Sequence, residues 1–198
     1  MKREIQDAEN IVVFAGRIAE PKSREGMELV SVSLANKKGR DETEWEYLSF
    51  SNPKSGQNGT KWADFATDKL GKGKFIVAVC YKKIKGEYTN YYVDACSTEE
   101  KGLYWTIKNS TSIAICGTIN NIEKKTDSLV LVTVNANGED HILTFAVPQE
   151  GQTGIDFAKL AGYLVIGQVI GCVAREVNKE QFKNLYVSAL DFGPKPLS

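Results

Sequence analysis

Two stretches of this chain, each of roughly a hundred residues, carry the same pattern in the same order. VVFAGRI at 12–18 returns as IAICGTI at 113–119, VSVSLAN (30–36) as LVTVNAN (131–137), and YLSFSNP (47–53) as ILTFAVP (142–148). GQNG (56–59) returns as GQTG (151–154), and NYYVDA (90–95) as NLYVSA (184–189). The offset drifts only from 101 to 94 residues, so one supersecondary plan occurs twice with slightly different loops. The 198-residue chain therefore divides into two units, each large enough to bury its own core.

Within each copy the hydrophobic period is two. Val12 and Phe14 alternate with Val13, Ala15 and Arg17 in the first, and Ile113 and Ile115 with Ala114, Cys116 and Thr118 in the second. That is the signature of a strand with one buried face. Gly16 and Gly117 fall at matching points, where a missing side chain lets a barrel strand bend or bulge. A second strand follows, with Val30, Val32 and Leu34 against Ser31, Ser33 and Ala35, matched by Val130, Val132 and Val134. NKKGRDE (36–42) and NANGED (135–140) then read as hairpin turns. The third strand carries Leu48 and Phe50, or Leu143 and Phe145, and ends at Pro53 or Pro148, which cannot donate to a ladder.

The period then changes. TKWADFATDKLG (60–71) places Trp62, Phe65, Ala66 and Leu70 on one helical stripe, with Thr60 as N-cap and Gly71 near the C-cap. TGIDFAKLAGYL (153–164) repeats the stripe with Phe157, Leu160, Ala161 and Leu164, and Gly162 weakens its last turn. Trp62 reads as a core aromatic. Two further strands close each copy: 74–84 and 89–96, then 168–177 and 183–190. Three strands, one helix and two strands is the order of the OB-fold, a five-stranded, partly open barrel. The predicted class is all-β: two tandem OB-fold barrels at 1–98 and 111–198, each with one helix between strands three and four. Residues 99–110 form the expected linker, with Tyr104 and Trp105 too apolar to be free and expected to pack between the barrels.

Bulk properties narrow the functions. The chain has 25 basic and 25 acidic residues, a net charge of zero, which argues against a wholesale electrostatic clamp on duplex DNA. It lacks an apolar run long enough to span a bilayer, and its charged start is unlike a secretory signal, so a cytoplasmic protein without membrane association is expected. Cys80, Cys96, Cys116 and Cys172 lie in apolar strands without metal-ligand spacing. His141, the single histidine, has no evident nucleophile partner. With no paired carboxylates and no phosphate-cradling loop either, an enzyme, a cofactor and a metal are not expected.

Four blocks of the first copy carry a family resemblance: NIVVFAGRI, VSVSLAN, TEWEYLSF, and the helix running into LGKGKFIVAV. In their order and gaps, over residues 10–96, they resemble the bacterial single-stranded DNA-binding protein family. The resemblance implies a non-catalytic binder of single-stranded DNA or RNA, serving replication, repair and recombination. It also implies four barrels per assembly, which two barrels per chain would reach as a homodimer. The flexible acidic tail with which members of that family recruit repair partners has no counterpart after DFGPKPLS, so such recruitment is not expected.

A sequence-tolerant single-strand site needs planar side chains for bases and cations along the phosphates. Alternation through the third strand turns Trp45 and Tyr47 outward, either as stacking platforms or as packing in a subunit interface. Cations come from Arg17, from Lys37, Lys38 and Arg40 in the first hairpin, and from Lys82, Lys83 and Lys85 in the second, where Tyr81 and Tyr88 are interleaved. Hairpin lysines equally keep loops solvated and edges unpaired. In the second copy Asp140 and Ile142 replace Trp45 and Tyr47, and the hairpin carries Glu139 and Asp140. That barrel is expected to be structural or oligomerising, with Ile142, Thr144 and Ala146 on its outer face. The competing reading is an interaction or scaffold module that kept the fold and lost the nucleic-acid site.

Overall fold

A computed structural model describes residues 1–22, 28–37, 43–179 and 182–197. The chain divides into two compact units, Met1–Thr98 and Glu99–Ser198.

The first unit contains β1 (Lys2–Glu4), β2 (Ile11–Lys22), β3 (Leu29–Lys37), β4 (Thr43–Ser51), α1 (Trp62–Lys69), β5 (Phe75–Lys85) and β6 (Tyr88–Thr98). The second contains β7 (Leu103–Thr106), β8 (Ser112–Thr126), β9 (Leu129–Ala136), β10 (Glu139–Ala146), α2 (Phe157–Ala161), β11 (Val169–Lys179) and β12 (Phe182–Phe192). In the first unit the strands run β2-β3-β4-β6-β5 and return to β2, closing a five-stranded barrel. The second closes in the same way as β8-β9-β10-β12-β11. All pairings are antiparallel except β4 with β6 and β10 with β12. A parallel neighbour needs a crossover, which α1 with β5, or α2 with β11, supplies. This is the tandem OB-fold architecture.

The inward positions of each barrel are the apolar members of the alternation. Phe14, Val32, Leu48, Phe50, Ile76 and Tyr91 belong to one core, and Ile115, Val132, Leu143, Phe145, Ile170 and Leu185 to the other. Trp62 is half-buried against the first core and meets Phe65 edge to face at 5.4 Å between centroids.

The glycines of the first barrel strand differ in what they permit. A Cβ on Gly117 would fall 2.2 Å from the Asn135 carbonyl oxygen and 2.7 Å from Val134 Cγ1, whereas one on Gly16 would meet only the Ala35 carbonyl at 3.3 Å. Beyond each glycine the strand shifts register, between Ile18 and Glu20 and between Ile119 and Asn121. This bend carries one long strand from one neighbour to the next.

Residues 99–110 are not a linker. Leu103–Thr106 form β7, which pairs antiparallel with β8, Tyr104 opposite Ile115 and Thr106 opposite Ile113. The first unit has the matching strand: β1 places Lys2 opposite Phe14 and Glu4 opposite Val12 on β2. Each leads through a buried isoleucine, Ile5 or Ile107, and a turn closed by an asparagine at positive φ, Asn10 or Asn109. The repeat therefore begins one strand earlier than its sequence similarity does. The Tyr104 ring stacks on His141 of the same unit, with centroids 4.1 Å apart.

The helices are shorter than their stripes. Helix α1 starts at Trp62 with Lys61 at the N-cap position and no side-chain cap, so Thr60 does not cap it. Asn52, just past β4, supplies the acceptor: its Oδ1 accepts from Ala63 N at 2.9 Å and Asp64 N at 3.3 Å, and its Nδ2 donates to Asp64 Oδ1. Leu70 is the C-cap, with Gly71 directly after it as expected. Helix α2 stops at Gly162 and is capped by Asp156, whose Oδ1 accepts from Lys159 N at 2.8 Å. In the second β9–β10 connection, Asn137 and Gly138 both have positive φ, 55° and 84°, between the paired Ala136 and Glu139. That is the type I′ turn an Asn-Gly pair favours. The equivalent turn of the first unit, 38–42, lies outside the described residues.

Candidate nucleic-acid interface

Strand β4 alternates TEWEYLSF so that Glu46, Leu48 and Phe50 point inward and Trp45, Tyr47 and Ser49 outward, and burial follows that parity. Trp45 and Tyr47 remain 50% and 54% exposed. A carboxylate at an inward position needs a partner. Glu46 has one in Lys2, whose Nζ lies 2.9 Å from Glu46 Oε1, with the Tyr91 ring centroid 5.0 Å away. Burial works against the Lys2 ammonium, but hydrogen bonds to Tyr91 and Glu46 outweigh it and hold its pKa above the ordinary lysine value. This charge pair, its carboxylate buried and its ammonium partly exposed, belongs to the scaffold.

Register carries the outward face across the sheet. Trp45 is opposite Ala35 on β3, which is opposite Arg17 on β2. Arg17 is exposed and donates from Nη1 to the Gly73 carbonyl at 3.0 Å. Tyr47 is opposite Ser33, and Ser33 opposite Glu20. A third row runs Ser31, Ser49, Tyr92, Tyr81, Ile11 through β3, β4, β6, β5 and β2. Further along the β5–β6 hairpin, Lys83 pairs with Asn90 and Lys85 with Tyr88. Tyr81 and Tyr88 are 46% and 77% exposed.

Arg17, Trp45, Tyr47, Tyr81, Lys83, Lys85 and Tyr88 are thus all on the outside of the first barrel, spread over β2, β4, β5 and β6. Lys82 does not join them. It is opposite the core residue Tyr91, on the other side of the ladder, and its Nζ lies 2.9 Å from Glu4 Oε1, a contact that holds the Glu4 carboxyl below its ordinary pKa. Lys37 ends β3, but its side chain, like all of Lys38 and Arg40, lies outside the described residues. The sequence reading passed over Tyr92, an outward ring between two core residues. The alternation of NYYVDA could have singled it out, since Tyr91 and Val93 are the apolar inward pair.

The same side of the second barrel is chemically different. Asp140, in the place of Trp45, accepts through Oδ1 from Asn120 Nδ2 at 2.9 Å and Asn135 Nδ2 at 2.8 Å. Ile142 is 58% exposed, while Thr144 is buried and Ala146 half-buried. Tyr186 occupies the place of Tyr92, opposite Thr144 on β10 and Arg175 on β11.

Elsewhere Cys80, Cys116 and Cys172 are buried and Cys96 half-buried, all as thiols. Burial pushes the thiols of Cys80 and Cys172 well up. No group of three or more His, Cys, Asp or Glu positioned to hold a metal occurs among the described residues. No helix among them is long and apolar enough to cross a membrane.

No protein-family model matches the sequence, and no curated protein matches it. Among solved structures the chain is similar to the single-stranded DNA-binding protein from Thermus aquaticus, at 16% identity and a TM-score of 0.30, covering 96% of this chain and 95% of that one. It is also similar to a murine DNA-binding protein bound to double-stranded DNA, at 9% identity and a TM-score of 0.29, over 91% of this chain and 96% of that one.

Proposed function

We propose that this protein binds single-stranded nucleic acid without catalysis, through the outward side of its first barrel. The observation that carries this reading is the set of exposed rings, Trp45, Tyr47, Tyr81 and Tyr88, which the outside of one barrel presents together with Arg17, Lys83 and Lys85. Unpaired bases stack on exposed rings without regard to sequence, and cations beside them follow the phosphates. Duplex bases, already stacked on one another, offer no such faces. The ordered resemblance of residues 10–96 to the bacterial single-stranded DNA-binding family supports the same conclusion.

The second barrel has the structural or oligomerising role. Asp140 and Ile142 in place of the two leading rings remove the stacking platforms and put a carboxylate where a phosphate would pass. Two chains assembling through it would bring four barrels together and add avidity to a neutral protein.

The test is a fluorescence titration of the full chain with oligo-dT. Quenching of the tryptophans at low salt is the expected result. Trp45→Ala should weaken binding by about 1–3 kcal/mol with little change in melting temperature. No quenching by oligo-dT at low salt would favour the scaffold reading instead, and equal affinity in the mutant would remove Trp45 from the site.

A further inference from the structure

Trp45 and Tyr47 stand on β4, Tyr81 on β5, and Tyr88 at the hairpin end of β6. Strand β6 lies between β4 and β5, so nucleic acid taking that way from Trp45 and Tyr47 to Tyr81 crosses β6, and what it meets there decides whether there is one site or two.

It meets Tyr92. This residue is opposite Ser49 on β4 and Tyr81 on β5. Its chain neighbours Tyr91 and Val93 both belong to the barrel core, so its ring is on the outer side. Adjacent strands lie about 4.8 Å apart, which places the Tyr92 backbone one strand from Tyr81 and one strand from the β4 residue two positions along from Tyr47. The row beyond it is small: Ser49, then Ser31. The Tyr92 ring is half-buried, and the side chains beside it on the β4 side are small.

Resting on the single-strand reading above, we infer that Tyr92 is the middle stacking platform of one continuous site. The nucleic acid runs across the β-strands, from Trp45 and Tyr47 over Tyr92 to Tyr81, with Lys83 and Lys85 beside its far end. The ligand class is an unpaired strand presenting successive bases to successive strands of the sheet.

The second barrel supplies a matched control. Tyr186 occupies the equivalent position, between Thr144 and Arg175, but Asp140 and Ile142 stand on β10 where the rings of β4 would be. An isolated ring gives no path. A purely packing role would apply to both tyrosines alike, whereas a stacking role applies only to Tyr92.

The experiment titrates the full-length protein with an oligo-dT of about 15 nucleotides, near the upper end of the site size of one such barrel. It compares wild type with Tyr92→Leu, Tyr92→Phe and Tyr186→Leu, each checked by thermal melting. Tyr92→Leu keeps apolar bulk without an aromatic face, and its affinity should fall about tenfold. Tyr92→Phe should bind as wild type, and so should Tyr186→Leu. A folded Tyr92→Leu variant with wild-type affinity, while the wild type binds, overturns the continuous path and leaves the single-strand reading standing. Absence of binding by the wild type overturns that reading first. Should Tyr92→Leu fail to fold, photocrosslinking of wild-type protein to halogenated oligo-dU decides: a crosslink at Tyr92 supports the path, and crosslinks at other rings without Tyr92 refute it.

Discussion

A position shared by the two units holds two different solutions to one burial problem. In the first, Lys2 and Glu46 form an ion pair at 2.9 Å behind the sheet. In the second, the equivalent residues Tyr104 and His141 stack face to face with the rings 17° apart, and Lys183 stands 6.0 Å from the Tyr104 centroid. Removing Glu46 takes away the buried carboxylate that the partly exposed Lys2 ammonium faces. Glu46→His alone should therefore destabilise by about 1–2 kcal/mol, tempered because Lys2 keeps 30% of its side-chain exposure. Adding Lys2→Tyr should recover most of the loss, which chemical denaturation of the single and double variants would measure. The pair also has a pH signature. With its folded pKa raised above the ordinary 10.5, Lys2 contributes stability that is complete below that value and disappears as pH rises through the folded pKa. The double variant should lack that alkaline contribution. Gly117 sets a harder limit. Its Cβ would overlap the Asn135 backbone, so Gly117→Ala should cost about 1–3 kcal/mol, well above Gly16→Ala, whose nearest neighbour is 3.3 Å away. Melting temperatures of the two variants test the order.

At the scale of the elements, the strands were legible and their ends were not. Alternation identified all ten barrel strands, because the inside and outside of a sheet are separated by single residues along the chain. Strand β7 escaped it. Four residues with one buried member show no usable period, and only pairing with β8 makes LYWT a strand. Helix α1 shows the same gap between local pattern and long-range partner. Thr60 had the chemistry of a cap, but the acceptor that reaches the free amides of Ala63 and Asp64 comes from Asn52. The turn after β4 places it there. Asn52→Ala should cost about 1 kcal/mol, as loss of an N-cap does, while Thr60→Ala should be near neutral. Helical circular dichroism is too weak a probe for eight residues, so the comparison is made by denaturant midpoint. The loops after the helices have diverged as well. Gly71 and Lys72 of the first unit are replaced by Val165 and Ile166, which with Tyr163 stand exposed, although both loops keep a positive-φ glycine, Gly73 or Gly167.

For the whole molecule, the proposed binding is compatible with a net charge of zero through segregation: one barrel carries cations and exposed rings on its outside, and the other has Asp140 in the place of Trp45. Binding through the first barrel should therefore show a modest salt dependence. Engagement of Arg17, Lys83 and Lys85 predicts a slope of log affinity against log salt of about −2, and the addition of Lys37, Lys38 and Arg40 would steepen it to about −4. A titration at several salt concentrations reads the slope directly, and a value near zero would remove the phosphate contacts. By itself, the sequence determined that there are two copies of one barrel plan, which residues of each strand face the core, and that Trp45 and Tyr47 look outward. These are properties of residues one or two positions apart. The tertiary structure alone decided that β7 belongs to the second barrel, that Lys82 is turned away toward Glu4, and that Tyr92 stands between Ser49 and Tyr81. Those depend on which strands become neighbours and in what register, and the parallel meeting of β4 with β6 joins residues more than forty positions apart that no local pattern connects.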